Sequence, residues 1–164
     1  MMPMTQSGTE RAYVLAFRLL MAWTLLYAAS HQVFNPHFSA AAFLSHTKTF
    51  HDVYGVIARP AMDPVLTFMV GYGHLLIGLS LLVGLMVRVS ALFGAGLLLV
   101  YWTAHMDWPF IENSNNFIID YHIVYAVLCV YLSFKRAGHV VGLDAWAEKL
   151  PFVKQHAALH PLVA

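Results

Sequence analysis

Four stretches of the chain are apolar almost without interruption: Ala12 to Val33, Val65 to Val87, Val89 to Met106 and Phe117 to Phe134. Crossing a hydrocarbon core about 30 Å thick takes roughly 17–25 mainly apolar residues rising about 1.5 Å each, and every stretch meets that length. The first carries Arg18 as its single charge, the second and third carry none, and the fourth is interrupted by Asp120 and His122. Lipid offers the backbone no hydrogen-bond partners, so runs of this kind must be helices. The pattern predicts an all-α integral membrane protein, a four-transmembrane-helix bundle. Residues 1–11 form an N-terminal segment, 12–134 the membrane domain and 135–164 a polar tail.

The linking segments refine this picture. Gly84 to Arg88 must make the whole turn between the second and third spans, which predicts a tight antiparallel hairpin. Small residues at i, i+4 spacing (Ser80 with Gly84, Ser90 with Gly94, Ala91 with Ala95) would let its backbones approach. The loop from Phe34 to Pro64 is bracketed by Pro36, Pro60 and Pro64, and inside it Phe43, Phe50, Val53, Tyr54 and Ile57 recur at helical spacing. This reads as one interfacial helix lying on the outer surface between helices 1 and 2. Outside the spans, Arg11, Arg88, Lys135, Arg136, Lys149 and Lys154 fall on the side of the termini, against Lys48 and Arg59 on the other. By the positive-inside rule both termini are cytoplasmic. The first run is read as a span, although Arg11 and Ala28-Ala29-Ser30 imitate a cleaved secretory signal. The stretch around Trp146 is amphipathic and is expected to rest on the inner leaflet.

Composition narrows the chemistry. Of 164 residues 60% are hydrophobic and 10% charged, against roughly 45–50% and 25% in a soluble domain, which excludes a water-soluble enzyme. A formal net charge of +1 supplies no field to hold nucleic acid. The single cysteine, Cys129, excludes redox chemistry through an intramolecular cysteine pair. Histidines, ten in all, outnumber the carboxylates, and seven lie in the outer half or the outer loops.

Ionisable groups inside a bilayer are costly, so each is a functional candidate. His31, His105, Asp120 and His122 lie within about two turns of the outer span ends, and His74 lies near the middle of the second span, with Tyr101 and Tyr125 at similar depth. On a helix a two-residue offset separates Asp120 and His122 by about 200°, so only one of them can face the bundle axis; Asp120 is expected to do so and to form a coupled pair with one histidine. Arg18 lies about 10 Å inside the cytoplasmic face, with no carboxylate expected at its level. It either snorkels to headgroups or faces the bundle to bind a polar ligand or helix-end carbonyls. Haem would need two imidazoles at one depth on facing helices. No recognised ligand spacing supports zinc or copper, so no metal ligands are assigned and haem or metal is a minor alternative.

The segment Gly71 to Gly96 resembles the hairpin signature of the DoxX/DoxD family of four-helix membrane proteins, with Gly78, Gly84, Arg88 and Ala91 at its recurring positions. Asn116, Gly138 and Gly142-Leu143-Asp144-Ala145-Trp146 are similar to the end of the DoxD branch, and Arg18 matches a basic residue typical of its first helix. The resemblance implies a bacterial or archaeal inner-membrane protein and, in that branch, a subunit of thiosulfate:quinone oxidoreductase. His74 stands where family members commonly carry an acidic residue, and Asp120 with His122 enrich a helix that is usually more apolar. On this basis the expected function is a membrane subunit of a quinone-linked oxidoreductase. His74, Asp120 and His122 would manage protons, while Arg18, Tyr101, Trp102 and Tyr125 would hold quinone between helices. The expected partners are the lipid bilayer, quinone and another protein subunit. The alternative is a non-catalytic anchoring or assembly subunit.

Overall fold

The computed structural model describes residues 7–163; residues 1–6 and 164, part of the expected N-terminal segment and the end of the tail, lie outside them. Among the described residues three helices are long and apolar enough to cross a membrane: α1 (Gly8–Val33), α4 (Asp63–Val83, prolonged by a turn from Pro60) and α5 (Val87–Ala104). A fourth apolar helix, α6 (Tyr121–Phe134), has 14 residues. The fourth span therefore differs from its expected form. Its first residues are not helical, Ile118 lying in the left-handed region at φ 61°, and the short loop before them folds into a three-stranded antiparallel sheet, β1 (Met106–Asp107), β2 (Phe110–Ile111) and β3 (Asn113–Phe117).

The single interfacial helix is also replaced. Two short helices, α2 (Ala40–Leu44) and α3 (His51–Ile57), cover this end of the bundle, called here the loop end. They are held by polar contacts that an apolar periodicity does not reveal. Asp63 at the start of α4 accepts hydrogen bonds from the Ser39 hydroxyl, the Ala41 amide and the Thr67 hydroxyl. The Tyr54 hydroxyl donates to the Val100 carbonyl and lies 2.6 Å from Thr103 Oγ1.

The helices pack as two pairs, α1 along α4 and α5 along α6, with a thinner contact between α4 and α5. The predicted hairpin is tight at its turn, where Ser80 Oγ donates to Ser90 Oγ, and again where Gly94 faces Ile77. A closer approach belongs to α1 and α4: a Cβ on Gly78 would meet Leu26 side-chain atoms at 2.8 Å and its amide nitrogen at 3.1 Å. Large residues such as Leu20, Trp23, Phe68, Phe93 and Val127 face outward, as a lipid-facing surface requires.

At the opposite, tail end, the polar tail packs against the bundle, with Trp146 left exposed. Its short helices α7 (Asp144–Ala147), α8 (Pro151–Gln155) and α9 (His160–Val163) tuck under the bundle, where Ala147, Val153 and Val163 pack with Leu85 and leucines of the tail. Gly84 ends α4 at φ 71° in the left-handed region and Met86 follows at φ 57°. The N-terminus of α5 has no cap from its own neighbours. Asp144 supplies one from 57 residues away: its carboxylate accepts the Met86 amide at 2.6 Å and the Val87 amide at 3.2 Å, while its own amide donates to the Gly84 carbonyl. This places a carboxylate near Arg18, where none was expected. Arg18, 1% exposed, donates to the carbonyls of Ala137, Val140 and Val141. Of its two expected roles, the structure fills that of binding helix-end carbonyls.

Removing the Asp144 acceptor leaves inward-facing amides unpaired, so Asp144→Ala should lower stability by about 2 kcal/mol in denaturant titrations in detergent. Burial pushes the Asp144 carboxyl above the usual carboxylate range, opposed by the amides of Met86 and Val87 and the charges of His139 and Arg18. The folded chain then holds this proton more tightly than the unfolded one. The associated stability is present below about pH 4 and lost as pH rises through the raised value. Stability relative to Asp144→Asn should fall over that interval; a difference independent of pH would contradict the assignment.

Candidate functional site

Asp120 precedes α6 by one residue, in extended conformation, and caps it: Oδ1 accepts the His122 amide at 3.1 Å. Its Oδ2 accepts from Nδ1 of the His122 ring at 2.6 Å. Both residues are buried, 6% and 4% exposed. The expected opposition of the two side chains is thereby corrected. The 200° separation applies within a helix, and Asp120 lies outside it.

Around this pair the loop end gathers rings from four helices. His122 stacks on His105 with centroids 5.0 Å apart and on Tyr101 at 5.8 Å, with Tyr121 at 4.1 Å. His74 meets Tyr101 edge-on at 5.5 Å. Phe43 of α2 closes the top, 4.9 Å from His105 and 5.9 Å from Tyr101. From α1, Gln32 Nε2 donates to the Tyr101 hydroxyl, which leaves Gln32 Oε1 buried without a partner.

One feature recurs through the histidines. His74 Nδ1 faces the Val70 carbonyl at 2.9 Å, and His105 Nδ1 faces the Tyr101 carbonyl at 2.9 Å. A carbonyl only accepts, so both rings carry their proton on Nδ1, as His122 does toward the Asp120 carboxylate. Whenever these rings are neutral, each presents the Nε2 lone pair to whatever enters the cluster. The arrangement is rich in acceptors, with the Tyr101 O–H as its donor, and each ring gains or loses a proton at Nε2.

The other expected contacts fall differently. The Trp102 indole N–H is spent on the Ile118 carbonyl at 2.8 Å, anchoring the non-helical segment before α6. Tyr125 touches Tyr121 and the bundle core. Arg18 sits 14 residues along α1 from Gln32, about 21 Å away, so it belongs to the tail-end knot and not to this cluster. His31 is exposed and bonded to its own helix at Tyr27. Gln32, Phe43 and Tyr121 complete the cluster without having been singled out as site residues, together with His105, an ionisable candidate with no role assigned. For His105 the signal was present, in its i, i+4 relation to Tyr101 on the face that carries the site.

Two open spaces adjoin this region. Along the α4–α5 seam an apolar groove of about 440 Å³ runs past Met69, Gly73, Ile77, Phe93 and Gly96, next to His74 in sequence. A smaller pocket of about 180 Å³ opens at the loop end over His105. The geometry is open to spectroscopy: in ¹⁵N spectra of labelled protein, Nδ1 of His74, His105 and His122 should remain protonated at every pH, with Nε2 alone gaining and losing its proton. An Nε2–H neutral tautomer at any of the three would overturn the assignment.

No curated protein and no solved structure matches the chain. A family model described as DoxX matches residues 13–106, from the first turns of α1 to β1. It covers Arg18, His74 and Tyr101 but leaves out Asp120, His122 and the Gly142–Trp146 block. The match spans more than half of the sequence, and with the apolar helices and the Gly84 turn it shows that this chain is a membrane protein of the DoxX family.

Proposed function

We propose that the protein is the membrane subunit of a quinone-linked oxidoreductase, with the Asp120–His122 pair and its stacked partners exchanging protons with quinone at the loop end. The observation that carries this reading is the buried carboxylate–imidazole pair set against two further imidazoles and a tyrosine in an otherwise apolar bundle. Polar groups this far from water are expensive unless they are paired and used.

The donor set fits both forms of the substrate. A quinone presents two carbonyl acceptors, which the Tyr101 hydroxyl and a protonated imidazole can meet. The quinol presents two O–H donors, which match Nε2 lone pairs. Reduction consumes two electrons and two protons. The electrons come from a reductant of the sulfur-oxyanion class, implied by the resemblance to thiosulfate:quinone oxidoreductase subunits, through a partner subunit; His105 and His122 supply protons at Nε2. The Asp120 carboxylate fixes the His122 tautomer and balances its charge when it is protonated. The apolar seam between α4 and α5 suits lateral access of a lipid-borne molecule. With both termini cytoplasmic, the loop end faces the outer side.

Saturable quenching of intrinsic fluorescence by a soluble quinone analogue in lipid nanodiscs tests this directly, because an anchoring subunit would show none. His74→Leu should abolish quinone-dependent turnover while the protein still inserts. Asp120→Asn should slow turnover by about 10²-fold, the usual scale for a lost proton-transfer group, and flatten its pH profile. A parental profile in that variant would sink the role given to the pair.

A further inference from the structure

The buried pair needs a way to exchange protons with water, and three routes can be compared. The α4–α5 seam presents apolar walls and glycine backbone, with no titratable group among its lining residues. The tail end is closed by the packing of Arg18 against the tail carbonyls and by Gly84, where even a Cβ would come within 2.6 Å of Arg18 Nη1 and of the Gly142 Cα. The loop-end pocket is different. Its walls include His46, Lys48, Asp107 and Glu112, all exposed, and the half-buried His105 and Phe43.

We propose that this pocket is the proton port of the site, with His105 relaying protons between water at the loop end and the Asp120–His122 pair. The proposal rests on the reading of that pair as the proton-handling group, and adds the route and the relay residue. His105 holds its Nδ1 proton on the Tyr101 carbonyl, so it exchanges protons at Nε2. Its ring stacks on that of His122 with centroids 5.0 Å apart, so the two imidazoles are direct neighbours. Glu112 is tied to His105 by its amide, which donates to the His105 carbonyl at 2.9 Å. Glu112 itself lines the pocket beside His105. At the rim Lys48 and Asp107 pair at 2.5 Å, both more than half exposed, and hold the loop that carries Phe43 against β1.

The titratable groups around the route come from every neighbouring element. His122 is faced by Asp120 and Tyr121 of its own segment and by Tyr101 and His105 of α5. His105 is faced by the rim groups His46, Lys48, Asp107 and Glu112. Every ionisable group on the route other than the two buried members of the pair touches the pocket or the ring stack beneath it.

The test is hydrogen–deuterium exchange at the imidazole Cε1 position, read for each histidine by mass spectrometry on the full chain in lipid nanodiscs. This exchange requires the ring to be protonated and reached by solvent. His105→Phe keeps the stack but cannot carry a proton. It should slow exchange at His122 by about fivefold or more while leaving exposed His46 unchanged. Glu112→Gln should slow it less. If the Phe variant fails to fold, His105→Gln, which can still donate to the Tyr101 carbonyl but does not titrate, should slow exchange at His122 in the same way. Unchanged exchange at His122 in the folded variants, or slowing produced instead by Gly96→Leu in the seam, would overturn the port. Saturable quenching by the soluble quinone analogue in the same preparations separates the two readings. Slowed exchange without quenching in the parental protein removes the proposed function and leaves the port, whereas quenching with unaffected exchange removes the port alone.

Discussion

A guanidinium inside an apolar bundle stays charged and brings five N–H donors that must be met by acceptors. In this chain the turn that follows α6 meets three of them, the carbonyls of Ala137, Val140 and Val141 taking the Nη groups, while Nε stays buried without a partner. Val141 is β-branched yet sits at φ 52°, a conformation such residues rarely adopt. Its distortion is held in place by the contact. The same turn delivers Asp144 to the amides that begin α5. A Cβ on Gly138 would collide with the Asp144 carboxylate, and one on Gly142 would lie 2.3 Å from the Gly138 carbonyl oxygen. The first helix, the α4–α5 turn and the tail are thus fixed to one another by one charged contact and the glycines that make room for it.

Closing the tail end in this way leaves the loop end as the place where the polar and ring side chains gather. There the loop between α1 and α4 is anchored by Asp63 and Tyr54, and the sheet after α5 is anchored by Trp102. Both bring polar side chains over the ends of α4, α5 and α6. Irregular backbone at membrane depth is tolerated where protein covers it, and this cover is what lets Asp120 and His122 lie beside each other out of water.

Much of this was legible in the residues. Length and apolarity locate α1, α4 and α5 to within a few positions, and the glycine-rich hairpin with its Gly-Leu-Asp block carries the resemblance that the DoxX match supports in its first part. The histidine layer and Asp120 point to the loop end, where the ring cluster gathers. What stayed hidden depends on partners distant in sequence. Nothing near Arg18 announces Asp144, which comes from 126 positions further on. Periodicity places Asp120 within a span because Phe117, Ile118 and Ile119 are as apolar as a helix, although the carboxylate, by capping the amide of His122, starts the helix after them. Gln32 reads as an ordinary polar residue at a span end until Tyr101 is seen opposite it.

The brevity of α6 has a consequence for the surrounding lipid. Its 14 residues rise about 21 Å, well short of a hydrocarbon core about 30 Å thick, while α1 with its 26 residues exceeds it. The protein therefore presents a belt of unequal height, tall on the α1 side and low beneath the small sheet. A bilayer meeting such a belt thins on the low side, at a cost of fractions of a kcal/mol per Å. Headgroups and their water are drawn down toward the start of α6, so membrane thickness itself becomes a variable that sets how deeply Asp120 is submerged.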